Sequence, residues 1–122
     1  MKILLVDDNA NVRDTLAQAL ENEGYEVELG ENGLAGFNAA KQHNYDFIIT
    51  DYKMPIIDGV KLIENLTLDL AYPKSKILLL TTDVSNKAKF IFDKLQISWL
   101  AKPVEIPQIL QNLPDIQTSQ IA

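Results

Sequence analysis

Short apolar runs alternate along the chain with longer stretches in which apolar residues recur every three or four positions. Ile3-Leu4-Leu5-Val6 and Phe47-Ile48-Ile49-Thr50 have no polar face, which predicts strands covered on both sides. Lys76-Ile77-Leu78-Leu79-Leu80 reads as a fourth strand and Ile97-Ser98-Trp99-Leu100 as a fifth. Tyr25-Glu26-Val27-Glu28-Leu29 alternates at period two and predicts a less buried second strand. Helical spacing follows each: Val12, Leu16, Ala19 and Leu20; Ala35, Gly36, Ala39 and Ala40; Val60, Ile63 and Leu66; Ala88, Ile91, Phe92 and Leu95; Ile106, Ile109, Leu110 and Leu113. Gly24 stops the first helix and Pro114 closes the last, with Pro107 tolerated in its first turn. Five strand–helix units predict a doubly wound α/β domain, a parallel sheet with helices on both faces.

On this reading the polar residues of interest collect at the C-terminal ends of the strands, where such folds place their ligands. Asp7 and Asp8 follow the first strand, Asp51 the third, Thr81 the fourth and Lys102 the fifth. Three convergent aspartates repel one another unless a hard cation neutralises them, which points to Mg2+ and phosphoryl chemistry. Asp7 and Asp8 would hold the metal, and Asp51 would be both ligand and nucleophile, since a carboxylate can attack phosphorus to give an acyl phosphate. The Thr81 hydroxyl and the Lys102 ammonium would each take a phosphoryl oxygen. Singly, each position has a plain structural reading: turn, cap, strand end, exposed lysine. One site explains them together.

The chain has 122 residues, no cysteine, one histidine, one tryptophan and a formal charge of -6. That length fits one domain; the missing cysteines exclude disulfides and thiolate chemistry, and the acidic balance argues against direct nucleic-acid binding. The N-terminus does not read as a signal peptide, and no stretch approaches the roughly 20 apolar residues of a membrane span. A cytoplasmic domain with no membrane contact is expected, with residues 115–122 as a polar tail or the start of a linker.

The pieces Ile3-Leu4-Leu5-Val6-Asp7-Asp8, Asp51-Tyr52-Lys53-Met54-Pro55-Ile56-Ile57-Asp58-Gly59, Leu80-Thr81-Thr82 and Trp99-Leu100-Ala101-Lys102-Pro103 resemble the receiver (CheY-like) domain of two-component response regulators. The resemblance covers essentially the whole chain, with residues 1–114 as the domain, and its aspartate loop is the most specific part. It implies a flavodoxin-like fold with sheet order 2-1-3-4-5. It also implies that a histidine kinase or histidine phosphotransfer protein donates a phosphoryl group to Asp51, and that the Lys53 carbonyl completes the Mg2+ ligands. Phosphorylation would then draw in Thr81, rotate an aromatic residue of the fifth strand and alter the surface of the fourth helix, fifth strand and fifth helix for an output partner or a homodimer. The domain would promote its own phosphorylation and dephosphorylation without turning over an external substrate.

Several positions depart from the family pattern. Trp99 stands at the aromatic switch position, usually Tyr or Phe; it is a candidate switch or a simple packing residue. Leu95-Gln96-Ile97 replaces a common Gly-Ala, predicting a differently built turn into the fifth strand. Thr82 stands where alanine is common, adding bulk and a donor. Lys53 and Asp83 occupy positions that tune acyl-phosphate lifetime, and their opposite charges suggest a pair across the mouth. Phe90 lies off the apolar stripe of the fourth helix and is a candidate partner contact. His43 reads as a solvated helix-end residue. The competing classes are a Mg2+-dependent aspartyl phosphohydrolase, a flavin carrier and a phosphorylation-independent pseudo-receiver. The first lacks a second acid in Asp51-Tyr52-Lys53, and the second would need a Ser/Thr/Gly-rich phosphate loop after the first strand.

Overall fold

A computed structural model describes residues 1–114; the expected tail at 115–122 lies outside the described residues. The strands are β1 (Lys2–Val6), β2 (Glu26–Gly30), β3 (Phe47–Asp51), β4 (Ile77–Thr81) and β5 (Trp99–Ala101). The helices are α1 (Ala10–Asn22), α2 (Gly33–Gln42), α3 (Gly59–Asp69), α4 (Asn86–Lys94) and α5 (Ile106–Leu110). All strand pairings are parallel, in the order β2-β1-β3-β4-β5, the expected flavodoxin-like sheet.

The pleat sorts the apolar strand residues into two cores. Ile3, Leu5, Phe47, Ile49, Leu78 and Leu80 face Leu16, Leu20 and Ile109 of α1 and α5. Leu4, Val6, Ile48 and Leu79 face Leu62, Ile63 and Leu66 of α3 and Phe92 of α4. Burial on both faces explains why β1, β3 and β4 are unbroken apolar runs.

Polar side chains fix the helix starts. Asn9, Asn32, Asp58 and Ser85 each accept a backbone N–H at the beginning of α1, α2, α3 and α4. At the α5 start the Gln108 side chain reaches back to accept the Glu105 N–H at 2.9 Å.

Tyr25 and Lys76 fall just outside β2 and β4, Lys76 closing a 3-10 turn, and two boundaries differ further from expectation. Ile97 and Ser98 precede β5, because Ile97 completes the C-terminal cap of α4. Its N–H donates to the Phe92 carbonyl at 2.8 Å, and the Gln96 N–H to the Asp93 carbonyl at 3.1 Å. This is the doubly bonded glycine cap seen after α1, where Gly24 has φ 96°, built here on Gln96 at φ 56°. The turn therefore has ordinary geometry and an unusual residue. Leu113 falls in the turns after α5, which ends at Leu110.

Candidate phosphoryl-transfer site

Register alone brings the site together. Val6 pairs with Thr50, Asp51 with Leu80, and Thr81 with Ala101. Asp7, Asp51, Thr81 and Lys102 thus stand in one row along the C-terminal edge. Ligand oxygens of Asp7, Asp8 and Asp51 lie within 4.8 Å of one another. Asp7 is 2% exposed, Asp51 partly buried and Asp8 exposed. The donor set is all oxygen, compact and open on one side, which fits a hard cation that keeps some of its water.

Lys102 bridges the two inner carboxylates. Its Nζ lies 3.0 Å from Asp7 Oδ2 and 2.9 Å from Asp51 Oδ1. Burial pushes the Asp51 carboxyl above its ordinary range; the Lys102 ion pair pulls the other way, Asp7 adds to the rise, and burial wins. Burial also pulls on Lys102, but hydrogen bonds and charge from Asp51 and Asp7 outweigh it and raise the ammonium above its usual value. The two directions are compatible: one cation is shared by two anions, so Lys102 gains from both while Asp51 has only part of a partner.

Loop geometry ties Asp51 to α3. The Gly59 N–H donates to the Tyr52 carbonyl at 2.7 Å, and a Cβ on Gly59 would lie 2.3 Å from the Asp51 carbonyl oxygen. Only glycine admits so close an approach. Between them, Ile56 has φ 70° and is 87% exposed. The Lys102–Pro103 peptide is cis.

Thr81 is fully buried, and its hydroxyl is occupied by Asp83. It donates to the Asp83 carbonyl at 3.0 Å and accepts the Asp83 N–H at 2.9 Å. Thr82, next along, is exposed. Trp99 is half-buried against Phe92, ring centroids 5.6 Å apart, and Phe92 meets the Tyr52 ring edge-on at 5.1 Å. An aromatic row therefore connects the residue after Asp51 to β5.

The expected Lys53–Asp83 ion pair is not formed. Lys53 Nζ sits 4.6 Å from the centre of the Tyr52 ring, a cation–π contact. Asp83 turns toward Ser85, whose hydrogen bonds lower the Asp83 carboxyl, with Lys53 a lesser influence. Phe90 is 66% exposed, with Lys94 Nζ 6.0 Å from its ring centre. His43 is exposed at the C-terminal end of α2, away from this edge. Arg13 went unnoticed in the sequence: its guanidinium donates to the Asp7 carbonyl at 3.0 Å. An arginine inside a helical pattern carries no local signal of such a contact.

A family model described as the response regulator receiver domain matches residues 3–114. A response regulator receiver protein of Anaeromyxobacter sp. (strain Fw109-5) is 32% identical over 111 residues, 89% of this chain and 45% of that protein. Chemotaxis protein CheY4 of Vibrio cholerae, crystallised at low pH, superposes with a TM-score of 0.82 at 30% identity, covering 93% of this chain and 98% of that one. Response regulator TrrA of Thermotoga maritima, solved in complex with Mg(2+)-BeF, gives a TM-score of 0.77 at 26% identity, covering 99% and 98%. The chain spans about half the length of the first curated relatives it matches.

Proposed function

This chain belongs to the response regulator receiver family of two-component signalling, and from that premise we propose that Asp51 is its phosphoacceptor. The observation that carries the proposal is the row of Asp7, Asp51 and Lys102, with Asp8 beside it, in one compact edge site. The donor is a phosphohistidine on a histidine kinase or phosphotransfer protein. An Asp51 carboxylate oxygen forms the new bond to phosphorus as the phosphorus–nitrogen bond breaks, and the imidazole, protonated on its other nitrogen, leaves neutral. Asp7, Asp8, Asp51 and the Lys53 carbonyl would hold Mg2+, as in the TrrA complex a Mg(2+)-BeF group is bound. The chemistry a bound Mg2+ supplies is charge neutralisation among the carboxylates and on the transferring oxygens.

The remaining roles follow from placement. Lys102 releases part of its hold on Asp51 to meet the phosphoryl group. Thr81 exchanges its Asp83 contacts for a phosphoryl oxygen, and Trp99 moves with it. Thr82 and Lys53 border the path of attacking water and set the acyl-phosphate lifetime together with Asp83. Phe90 on α4 contacts the output partner or a second copy. The domain itself contacts neither nucleic acid nor membrane and acts in the cytoplasm; no helix among the described residues is long and apolar enough to cross a bilayer. It promotes its own phosphorylation and dephosphorylation without being a turnover enzyme.

Incubation with Mg2+ and acetyl phosphate, followed by intact mass, tests the reading. One phosphoryl adduct is expected on the parent, absent from an Asp51→Asn variant and lost on chelation. No adduct, together with unchanged Trp99 fluorescence under beryllofluoride, would instead mark a phosphorylation-independent interaction domain.

A further inference from the structure

Arg13 occupies a position that is unfavourable in its place on the helix and in its buried Nε. It is the fourth residue of α1, where the helix dipole repels a cation. Its side chain is only 16% exposed, and its Nε is buried with no hydrogen-bond partner. The nearest carboxylate oxygen, on Asp14, is 3.8 Å away, too far for a hydrogen bond. A buried, unpaired donor on a charged group costs stability. What Arg13 does obtain is the bond from Nη1 to the Asp7 carbonyl.

That carbonyl belongs to the peptide joining the two site aspartates. The other polar groups of Asp7 are also engaged. Its N–H donates to the Gly30 carbonyl at 3.1 Å, Oδ1 accepts the Asn9 N–H at 2.9 Å, and Oδ2 accepts Lys102. Asp8 differs: it is exposed, and its carboxylate has no hydrogen bond or ion pair among the described residues. Because the peptide is planar, fixing its oxygen also fixes the nitrogen and Cα of Asp8.

We infer that Arg13 is a positioning residue, which locks the Asp7–Asp8 peptide plane and so aims the otherwise unheld Asp8 carboxylate into the cation site. This inference rests on the Mg2+ reading proposed above. Arg13 acts through geometry; as a charge alone it would repel the metal, so the two roles have opposite signs.

Calorimetric Mg2+ titration separates them, run on the parent, Arg13→Met and Arg13→Lys, with urea unfolding of each in chelator. Arg13→Met is expected to weaken Mg2+ binding about tenfold, the lower end for a residue that orients a ligand. Its urea midpoint without metal should stay close to the parent's, because loss of the bond to the Asp7 carbonyl is offset by removal of the buried unpaired Nε donor. Its acetyl phosphate labelling at saturating Mg2+ should return to near the parent's rate. Arg13→Lys, keeping the charge and losing the reach, should also bind Mg2+ more weakly. Equal or tighter Mg2+ binding in Arg13→Met, or a loss of binding that tracks a lowered urea midpoint in both variants, would overturn the inference. A parent that bound no Mg2+ would overturn the underlying reading as well, so the two failures are told apart by the parent alone.

Discussion

Gln96 offers a clean test of how the α4–β5 turn is built. It holds φ 56° at the end of α4, in the region where an L side chain crowds its own backbone. The cap around it is intact, and its side chain is exposed, so a glycine there would lose no buried contact. The left-handed conformation costs a non-glycine residue about 1–2 kcal/mol, while glycine adds about 0.4–1 kcal/mol of unfolded-chain entropy to be overcome. Gln96→Gly should therefore stabilise the fold by about 0.5–1 kcal/mol. At an m-value of about 1.5 kcal/mol/M, that moves the urea midpoint up by about 0.5 M. Equilibrium unfolding followed by Trp99 fluorescence and by far-ultraviolet circular dichroism measures it. The companion Gly24→Ala, at φ 96° with open space around its Cβ, should lose about 1 kcal/mol through backbone strain alone. A Gln96→Gly midpoint at or below the parent's, with m unchanged, would refute the left-handed assignment and the reasoning built on it.

Asp51→Asn should stabilise the metal-free protein at neutral pH. The Asp51 carboxyl is raised by burial, so the folded state binds its proton more tightly than the unfolded chain, and stability falls as pH rises through that raised value. The advantage of the variant should vanish on acidification below the ordinary carboxyl value of about 3.9, as urea midpoints across pH would show. Phe92→Ala removes a fully buried ring from between Tyr52 and Trp99 and should cost about 3–5 kcal/mol, with an altered Trp99 emission maximum in the folded state. Gly59→Ala drives a Cβ into the Asp51 carbonyl and should cost about 1–3 kcal/mol and slow acetyl phosphate labelling; a parent-like midpoint and rate would show that the loop yields freely.

Much of this architecture is legible in the sequence because parallel strands are covered on both faces. β1, β3 and β4 announce themselves as apolar runs, and their shared end collects Asp7, Asp8, Asp51 and Thr81. Trp99 and Lys102 follow once β5 is located. The start of β5 is less legible, since Ile97 is apolar for a different reason: it closes the α4 cap through the Phe92 carbonyl and is buried in the same core as Phe92. The cap itself is concealed because its left-handed residue is glutamine. Side-chain partnerships across the site are the least legible. Opposite charges at Lys53 and Asp83 suggest a pair, yet an aromatic face competes for Lys53 and a helix start for Asp83. Exposed pairs gain too little to decide such contests.

Most polar groups of the candidate site already have partners. Lys102 spans Asp7 and Asp51, the Thr81 hydroxyl is occupied in both directions by Asp83, and Trp99 leans on Phe92. For Lys102 and Thr81, a contact to a phosphoryl group would therefore be an exchange of partners, with little net gain in their number. Such an exchange is weakly biased either way, which suits a two-state element that one added charge must tip. The stable part of the molecule lies elsewhere, in the two apolar cores flanking the sheet, where Leu4, Leu5, Ile48, Ile49, Leu78 and Leu79 are essentially inaccessible. That separation lets like charges and the unpaired Arg13 donor persist at the strand ends without unfolding the domain. It also predicts where substitutions will divide: at the edge they should change binding and balance, and in the two cores they should change stability.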